Sequence, residues 1–344
     1  MNNTDQPLRR LGIRAMFLVW GFPFGTRRSQ FMAQLLGMDI EHVYITPRQG
    51  AWYALVKYPV QALKTLIVLA RRRPQVVFIQ DPPILAILVV YLWGLFTGAR
   101  YVIDSHTDAL LAPWWAWSLS LHGFLSRKAI TTIVTNDHLQ QMVASWNAHA
   151  FVLTDVPVVL SARRPVELDK TKFNIVVIST ASYDEPIAEI FQAAKGLPNV
   201  AFHVTGNYKN RQHIIQVAPD NVHFTGYVPD DTFYGLMEAA QVVMCLTTEN
   251  HTIQSGAGEA LWLGKPIITS CWPLLQQYFS KGTLHVDNTA DRIYQAIVKM
   301  QENLPALKAD ILALQQERWR DWQNNANALV TLIHQALNTS RRTR

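Results

Sequence analysis

The sequence predicts an α/β protein of two similar domains, each a parallel sheet wrapped by helices. Three observations carry this. Short apolar runs alternate with longer helical stretches through most of the 344 residues, the pattern of repeated β-α units. Strand candidates fall six and six about residues 156–171, a segment rich in Pro, Arg and Ser and then in charge, without sustained periodicity. The length is also about twice the roughly 150 residues of an ordinary domain.

In chain order, the front half offers strands at residues 13–19, 42–45, 76–80, 101–104, 132–135 and 151–153. The back half offers them at 174–179, 201–205, 222–224, 242–246, 266–269 and 284–286. Residues 306 to 337 read as helix, and Arg341-Arg342-Thr343-Arg344 as a solvated end. The domains are accordingly drawn at 1–160 and 161–325, with 326–344 a C-terminal helix and basic tail.

Composition narrows the class. The chain is 49% hydrophobic and 16% charged, which excludes disorder as its main state. The net charge of +6 is uneven: residues 1–165 hold 16 Lys and Arg against 8 Asp and Glu, and residues 166–344 hold 15 against 17. A basic front half suits nucleic acid, anionic lipid or a phosphorylated ligand. Its cations are not interleaved with an RNA-stacking pattern or a helix-turn-helix signal, so nucleic acid is not expected. Cys245 and Cys271 show no metal spacing and read as buried thiols of a reducing compartment. The first residues lack the order of a signal peptide, and the longest uncharged apolar run, 84–96, has 13 residues, short of the ~18 a spanning helix needs. A cytoplasmic location is expected, with membrane contact, if any, peripheral on the inner face.

In open parallel sheets ligands bind beyond the carboxyl ends of the strands, so two such sheets facing each other are expected to make an interdomain cleft. After the first strand, Gly21-Phe22-Pro23-Phe24-Gly25-Thr26-Arg27-Arg28-Ser29 leads into a helix. Gly25, Thr26 and Arg27 suit a phosphorylated ligand or acceptor, through a close-approach loop, helix-start N–H groups and positive charge. A plain β-α turn with surface arginines is the alternative. The spacing fits neither a Walker loop nor G-x-G-x-x-G. After the fourth strand comes Asp104-Ser105-His106-Thr107-Asp108, a histidine with carboxylates two residues to either side. It could supply an acid, a base or a sugar-hydroxyl ligand, or a helix cap beside a satisfied histidine. His122 lies in an apolar stretch and reads as structural. Pro113-Trp114-Trp115-Ala116-Trp117, followed by Arg127-Lys128, suits either a membrane interface or a core helix.

The back half carries sharper patterns. Gly206, Lys209 and Arg211 lie in a loop after a strand and suit a leaving pyrophosphate. Gly226 and Tyr227 follow the next strand, where a glycine permits approach of a planar base. A third strand leads through His251 to Ser255, Gly256, Ala257 and Gly258, which open a helix whose bare N–H groups favour phosphate oxygens. Glu259, in the first turn, could accept hydrogen bonds from both ribose hydroxyls.

The run S-G-A-G-E-A-L-W-L-G-K-P-I-I-T-S resembles the donor-nucleotide motif of glycosyltransferases with the GT-B fold, in which a Glu precedes A-x-x-x-G-x-P. The glycine loop, D-S-H-T-D, T-G-N-Y-K-N and F-T-G-Y-V-P follow that family in the same order. I-Q-D-P-P with the later I-D-S-H also resembles the β-1,4-mannosyltransferases of the dolichol pathway and their bacterial relatives. The resemblance implies two Rossmann-like domains, an acceptor domain in front and a donor domain behind, and a last helix around Trp319 and Trp322 that returns to the front domain. It implies transfer of a sugar from a UDP- or GDP-linked donor to a lipid-linked or other membrane-associated glycan acceptor, in making polysaccharide or glycoconjugate. A sugar-nucleotide epimerase of the same fold and a catalytically silent binding partner are the alternatives. Glu259 carries over to ribose. Many retaining members have an earlier Glu separated by seven residues, and that position here is His251; Glu249 stands two residues too early. Asp108 or Asp104 serves as base if the reaction inverts, and His106 holds the donor sugar if it retains. No D-x-D motif stands at a suitable strand end, so neither metal nor other cofactor is expected. Lys209, Arg211 and the helix start would meet the diphosphate charge instead.

Overall fold

Runs of Val, Ile, Leu and Phe without polar alternation mark strands covered on both faces, and such runs form the centres of two six-stranded parallel sheets. The computed structural model describes residues 6–21, 27–45, 51–159 and 163–342. The chain divides into two units, Met1–Val156 with Asp321–Arg344, and Pro157–Arg320.

The first unit contains α1 (Pro7–Arg10), β1 (Ala15–Val19), α2 (Arg27–Leu36), β2 (Asp39–His42), α3 (Ala51–Arg72), β3 (Val76–Asp81) and α4 (Ile84–Thr97). It continues with β4 (Arg100–Ser105), α5 (Thr107–Leu111), a 3-10 turn (Pro113–Ser118), α6 (Leu119–Lys128), β5 (Thr132–Val134), α7 (Asp137–Ser145) and β6 (Ala150–Val152). The strand order is β2-β1-β3-β4-β5-β6, so the winding reverses between β1 and β3. In register, Phe17 stands beside Phe78 and their rings lie 5.9 Å apart. Both are fully buried, each stabilising the fold by about 1.5–3 kcal/mol.

The second unit contains β7 (Phe173–Val177), α8 (Ile187–Lys195), β8 (Val200–Thr205), α9 (Gln212–Ile215), β9 (Val222–Gly226), α10 (Asp230–Ala239) and β10 (Val242–Cys245). It goes on through α11 (Ser255–Trp262), β11 (Ile267–Ser270), α12 (Pro273–Tyr278), β12 (Thr283–Val286) and α13 (Ala290–Arg342). Its order, β12-β11-β10-β7-β8-β9, is the doubly wound Rossmann order with its switch point between β7 and β10. The core joins Ile175, Phe202 and Met244 of the sheet to Phe191 of α8 and to Ile293, Ile297 and Met300 of α13.

Four local expectations are corrected. The second strand is Asp39–His42 rather than 42–45. It pairs only with β1 at the sheet edge, where Asp39 and Glu41 are tolerated and hydropathy gives little signal. The last helix starts at Ala290, before Pro305, which it contains; Ile293, Ile297 and Met300 supply a buried stripe that holds the earlier turns. Trp319 stays with the second unit, edge-on to Trp262 with ring centroids 6.3 Å apart, whereas Trp322 is buried in the stretch that belongs to the first. Cys245 is buried, but Cys271 is exposed because it stands just beyond β11, past the last covered position of the strand.

Candidate functional site

In the second unit the loops leaving β7 and β10 are tied together at Thr247. Its N–H donates to Ser270 Oγ (2.8 Å), its hydroxyl to Asp184 Oδ2 (2.6 Å), and its carbonyl accepts from Trp272 Nε1 (3.0 Å) and Asn288 Nδ2 (2.9 Å). Gln254 Nε2 donates to Leu246 O at 2.7 Å, which fixes the approach to α11. The helix then starts against the end of β7. A Cβ on Gly256 would lie 2.5 Å from Ile178 Cγ2, so only glycine lets the helix start come this close. Ala257 and Gly258 turn their N–H groups back to Gln254 O, at 3.1 and 3.3 Å, while Ser255 is exposed at the tip. A helix N-terminus at the switch point of a parallel sheet is suited to phosphate. Glu259, one turn along, is 5% exposed, with Oε1 3.4 Å from the Tyr234 hydroxyl.

The loop after β8 depends on Gly206, at φ +99°, where a Cβ would fall 2.4 Å from Ser179 O. Tyr208 is buried behind it and its hydroxyl lies 2.5 Å from Ser179 Oγ. Ser179 in turn donates to Glu185, whose Oε1 accepts from Thr180 N at 2.7 Å. Burial raises the Tyr208 phenol above its ordinary value, and the nearby Glu185 carboxylate adds to this against the Ser179 hydrogen bond. With the loop anchored inward by Tyr208, Lys209 and Arg211 are exposed, and neither is ion-paired among the described residues. Gly226 takes φ +72°, and Tyr227 beyond it is 66% exposed, an open ring face. His251 sits half-buried in a turn at φ +61°. Glu249 is exposed, its N–H bonded to Thr247 Oγ1 at 3.1 Å.

In the first unit the corresponding place is the turn of strand order between β1 and β3. Gly25 and Thr26 lie outside the described residues; Arg27 opens α2. Arg28 does not serve as a loose surface cation. It donates to Leu153 O (2.7 Å) and Thr154 O (3.3 Å), and its Nε stands 3.6 Å from Asp104 Oδ1. Asp104 is 1% exposed, and His106 Nε2 lies 3.6 Å from its other oxygen. Burial pushes the Asp104 carboxyl up, but the Arg28 guanidinium and the His106 ring outweigh it and hold it below the usual range. Asp104 is thus an enclosed carboxylate lying between Arg28 and His106. Asp108 is exposed in the first turn of α5.

Beneath this loop lies His122, read from the sequence as structural but without the partners it has here. His122 is fully buried, with Nε2 3.0 Å from Asp81 Oδ2 and 3.1 Å from Ser105 Oγ, and Nδ1 3.0 Å from Ser126 Oγ. The His106 N–H donates to Asp81 O at 3.0 Å, so the Asp81–His122 pair fixes the backbone that presents His106. Seventeen residues separate His122 from Ser105, and no local pattern announces the contact. Neither Ser105 nor Asp108 caps α5; its N-cap is His106, without a side-chain bond. The tryptophan segment forms the 3-10 turn rather than a core helix, with Trp114 and Trp117 exposed. Among the described residues no cluster of three or more His, Cys, Asp and Glu is placed to hold a metal ion.

Solved structures share this architecture across almost the whole chain. Sucrose-phosphate synthase from Thermosynechococcus elongatus superposes with a TM-score of 0.72 at 13% identity, covering 95% of this chain and 100% of that one. Anabaena HepE, in complex with UDP and glucose, gives 0.69 at 14% identity, with coverage of 95% and 100%. A candidate UDP-N-acetylglucosamine 2-epimerase from Listeria monocytogenes gives 0.61 at 10% identity, covering 86% and 90%. Among curated proteins, none matches the sequence. The two doubly wound units and the long closing helix define a chain of the GT-B fold. Residues 174–303, nearly all of the second unit's sheet, match the family model Glycosyl transferases group 1. The chain thus has the GT-B fold, and a segment of its second unit is similar to that family.

Proposed function

We propose that the protein transfers a sugar from a nucleoside diphosphate sugar to a membrane-associated glycan acceptor, in the synthesis of a polysaccharide or glycoconjugate on the inner face of a membrane. The observation that carries the donor half is α11: its glycine-lined start lies against the end of β7 at the switch point, with Glu259 one turn along. In this reading Ser255, Gly256, Ala257 and Gly258 receive the diphosphate, Glu259 the ribose hydroxyls, and Tyr227 with Gly226 the base. Gly206 shapes the loop from which Lys209 and Arg211 meet the negative charge that grows on the leaving diphosphate, so no metal or other cofactor is assigned. His251 stands where a sugar contact is needed. UDP is the first donor base to test, since HepE is seen with UDP and glucose; GDP is the second.

For the acceptor, the first unit offers Asp108, the exposed carboxylate of its loop, to take the hydroxyl proton as the glycosidic bond forms. His106, oriented by Asp104, holds a sugar hydroxyl, and Arg27 with Gly25 and Thr26 a phosphate. An epimerase reading is less well supported: that fold neighbour is matched in shape alone, whereas the family match over residues 174–303 is to glycosyltransferases.

The test is melting temperature and donor turnover across UDP- and GDP-sugars. UDP or GDP raises the melting temperature of the wild type, because a ligand that binds only the folded state stabilises it. Glu259→Ala removes most of that rise. Asp108→Asn keeps it and loses transfer by about 100-fold or more. No rise and no turnover with any nucleotide sugar would overturn the proposal.

A further inference from the structure

Helix α3 is apolar on two sides. Its sheet-facing side buries Leu69 and packs Tyr58 and Ala62 on the core, and also carries Gln61 and Thr65, both fully buried, Gln61 donating to Val43 O at 2.8 Å and Thr65 accepting from Trp20 Nε1 at 2.8 Å. Its outward side carries Leu55, Val56, Val60, Leu63, Leu66 and Ile67, all exposed, at spacings that place them on one stripe. Lys57, Lys64 and Arg71 follow one border of it, and the helix contains no acidic residue. The neighbouring α4 is uncharged throughout. It ends in exposed Leu92, Leu95 and Phe96, the last 88% accessible. Single exposed apolar residues are ordinary, but a stripe continuing onto a second helix marks an interaction surface.

At the end of that stripe lies a cavity of about 1160 Å³, formed where α3, α4 and α6 end and β3 and β4 begin. Five cations line it, Arg14, Arg73, Arg100, Arg127 and Lys128, and no carboxylate does among the described residues. Part of this charge complements helix C-termini; Arg14 precedes β1 and Arg100 opens β4. Arg14 Nε donates to Arg73 O (3.2 Å), Arg127 to Trp146 O (3.1 Å), and Lys128 Nζ stands 6.0 Å from the Phe124 ring. The cations are thus held about one opening, with Leu95 on its lining. Of the cations clustered at residues 71–73, Arg72 pairs with Glu41 at 2.6 Å and takes no part. The cavity is at the amino ends of the strands, whereas His106 and Asp108 follow the carboxyl end of β4.

We propose that this face docks on an anionic lipid bilayer: the α3 stripe and the tip of α4 enter the acyl boundary, and the cavity holds phosphate headgroups. Charge selects this occupant. A second copy would bring the same cations onto themselves, and a free phosphate would leave the apolar stripe uncovered, whereas an anionic bilayer covers the stripe and neutralises the cavity. Among the described residues no helix is long and apolar enough to cross a membrane, and the contact proposed lies in the plane of the interface. The inference rests on the membrane-acceptor reading, and its test is separate from that of the donor.

The experiment is co-sedimentation of the full chain with vesicles of phosphatidylcholine alone and of an equal mixture with phosphatidylglycerol. The wild type binds the mixed vesicles and little of the neutral ones. Leu95→Ser/Phe96→Ser and Arg73→Glu/Lys128→Glu each raise the lipid concentration for half-binding by about tenfold or more. Both variants keep the nucleotide-dependent rise in melting temperature, which reports an intact fold and a separate donor site. Equal binding to both vesicles overturns the inference, as does binding that ignores both pairs. So does a dimer that forms without lipid and is lost in Leu95→Ser/Phe96→Ser. None of these outcomes would touch the nucleotide reading.

Discussion

Gly206 and Asp104 show how single positions set up the two halves of the chemistry. At Gly206 the backbone adopts φ +99° with Ser179 O where a Cβ would stand. Gly206→Ala therefore destabilises by about 1–3 kcal/mol and lowers nucleotide affinity, readable as a fall in both the unliganded melting temperature and its rise with UDP. Tyr208→Phe removes one buried hydrogen bond and loses about 0.5–1.5 kcal/mol. Asp104 gives a dependence on pH. Its carboxyl is held below the ordinary 3.8 in the folded chain, so the unfolded chain binds that proton more readily. The resulting stabilisation is complete above 3.8 and is lost as pH falls through the lower folded value. Asp104→Asn flattens this acid limb of melting temperature against pH. It also leaves Arg28 without its carboxylate, at about 3–5 kcal/mol. Residues of this kind divide sharply in legibility. Gly256 and Glu259 stand within five positions of each other and are visible as a motif, whereas the pairing of β3 with β4 sets Asp81 beside Ser105 and α6 brings His122 to both.

Among the elements, α11 and α3 make opposite points. The small residues Ser255 to Gly258 announce a close approach, and β7 is what α11 approaches, through Ile178. Gly256→Val moves the helix start and is expected to abolish the UDP-dependent rise in melting temperature while far-UV circular dichroism stays unchanged. Helix α3 misleads a hydropathy reading, because it carries a second apolar stripe, opposite its core face, that lies in solvent. The strand periods of the sheet centres were legible for the opposite reason: β1 and β10 are apolar and buried at every position, and β3 and β7 are runs of buried apolar residues with Gln80, Asp81 and Asn174 kept to their ends. In α13 the turns after Asp321 belong to the first unit, and Trp322→Ala there loses about 3–5 kcal/mol.

For the whole molecule, the uneven charge acquires a location. The first 165 residues carry the excess of cations, and the structure collects five of them about one cavity and pairs others, such as Arg28 and Arg72, with Asp104 and Glu41. Salt should therefore weaken vesicle binding steeply while leaving nucleotide binding less affected, since exposed charges are screened within about 10 Å at 0.1 M ionic strength. By itself the sequence determined the α/β class, the two six-stranded halves and the small-residue helix start before Glu259, because strand period, turn chemistry and a helix start are local properties of neighbouring residues. Only the tertiary structure decided that Asp104 is enclosed beside Arg28, that His122 meets Asp81 and Ser105, and that α3 carries a second apolar side in solvent. Each of these depends on which distant atoms share a buried volume, and sheet order, not local pattern, brings those atoms together.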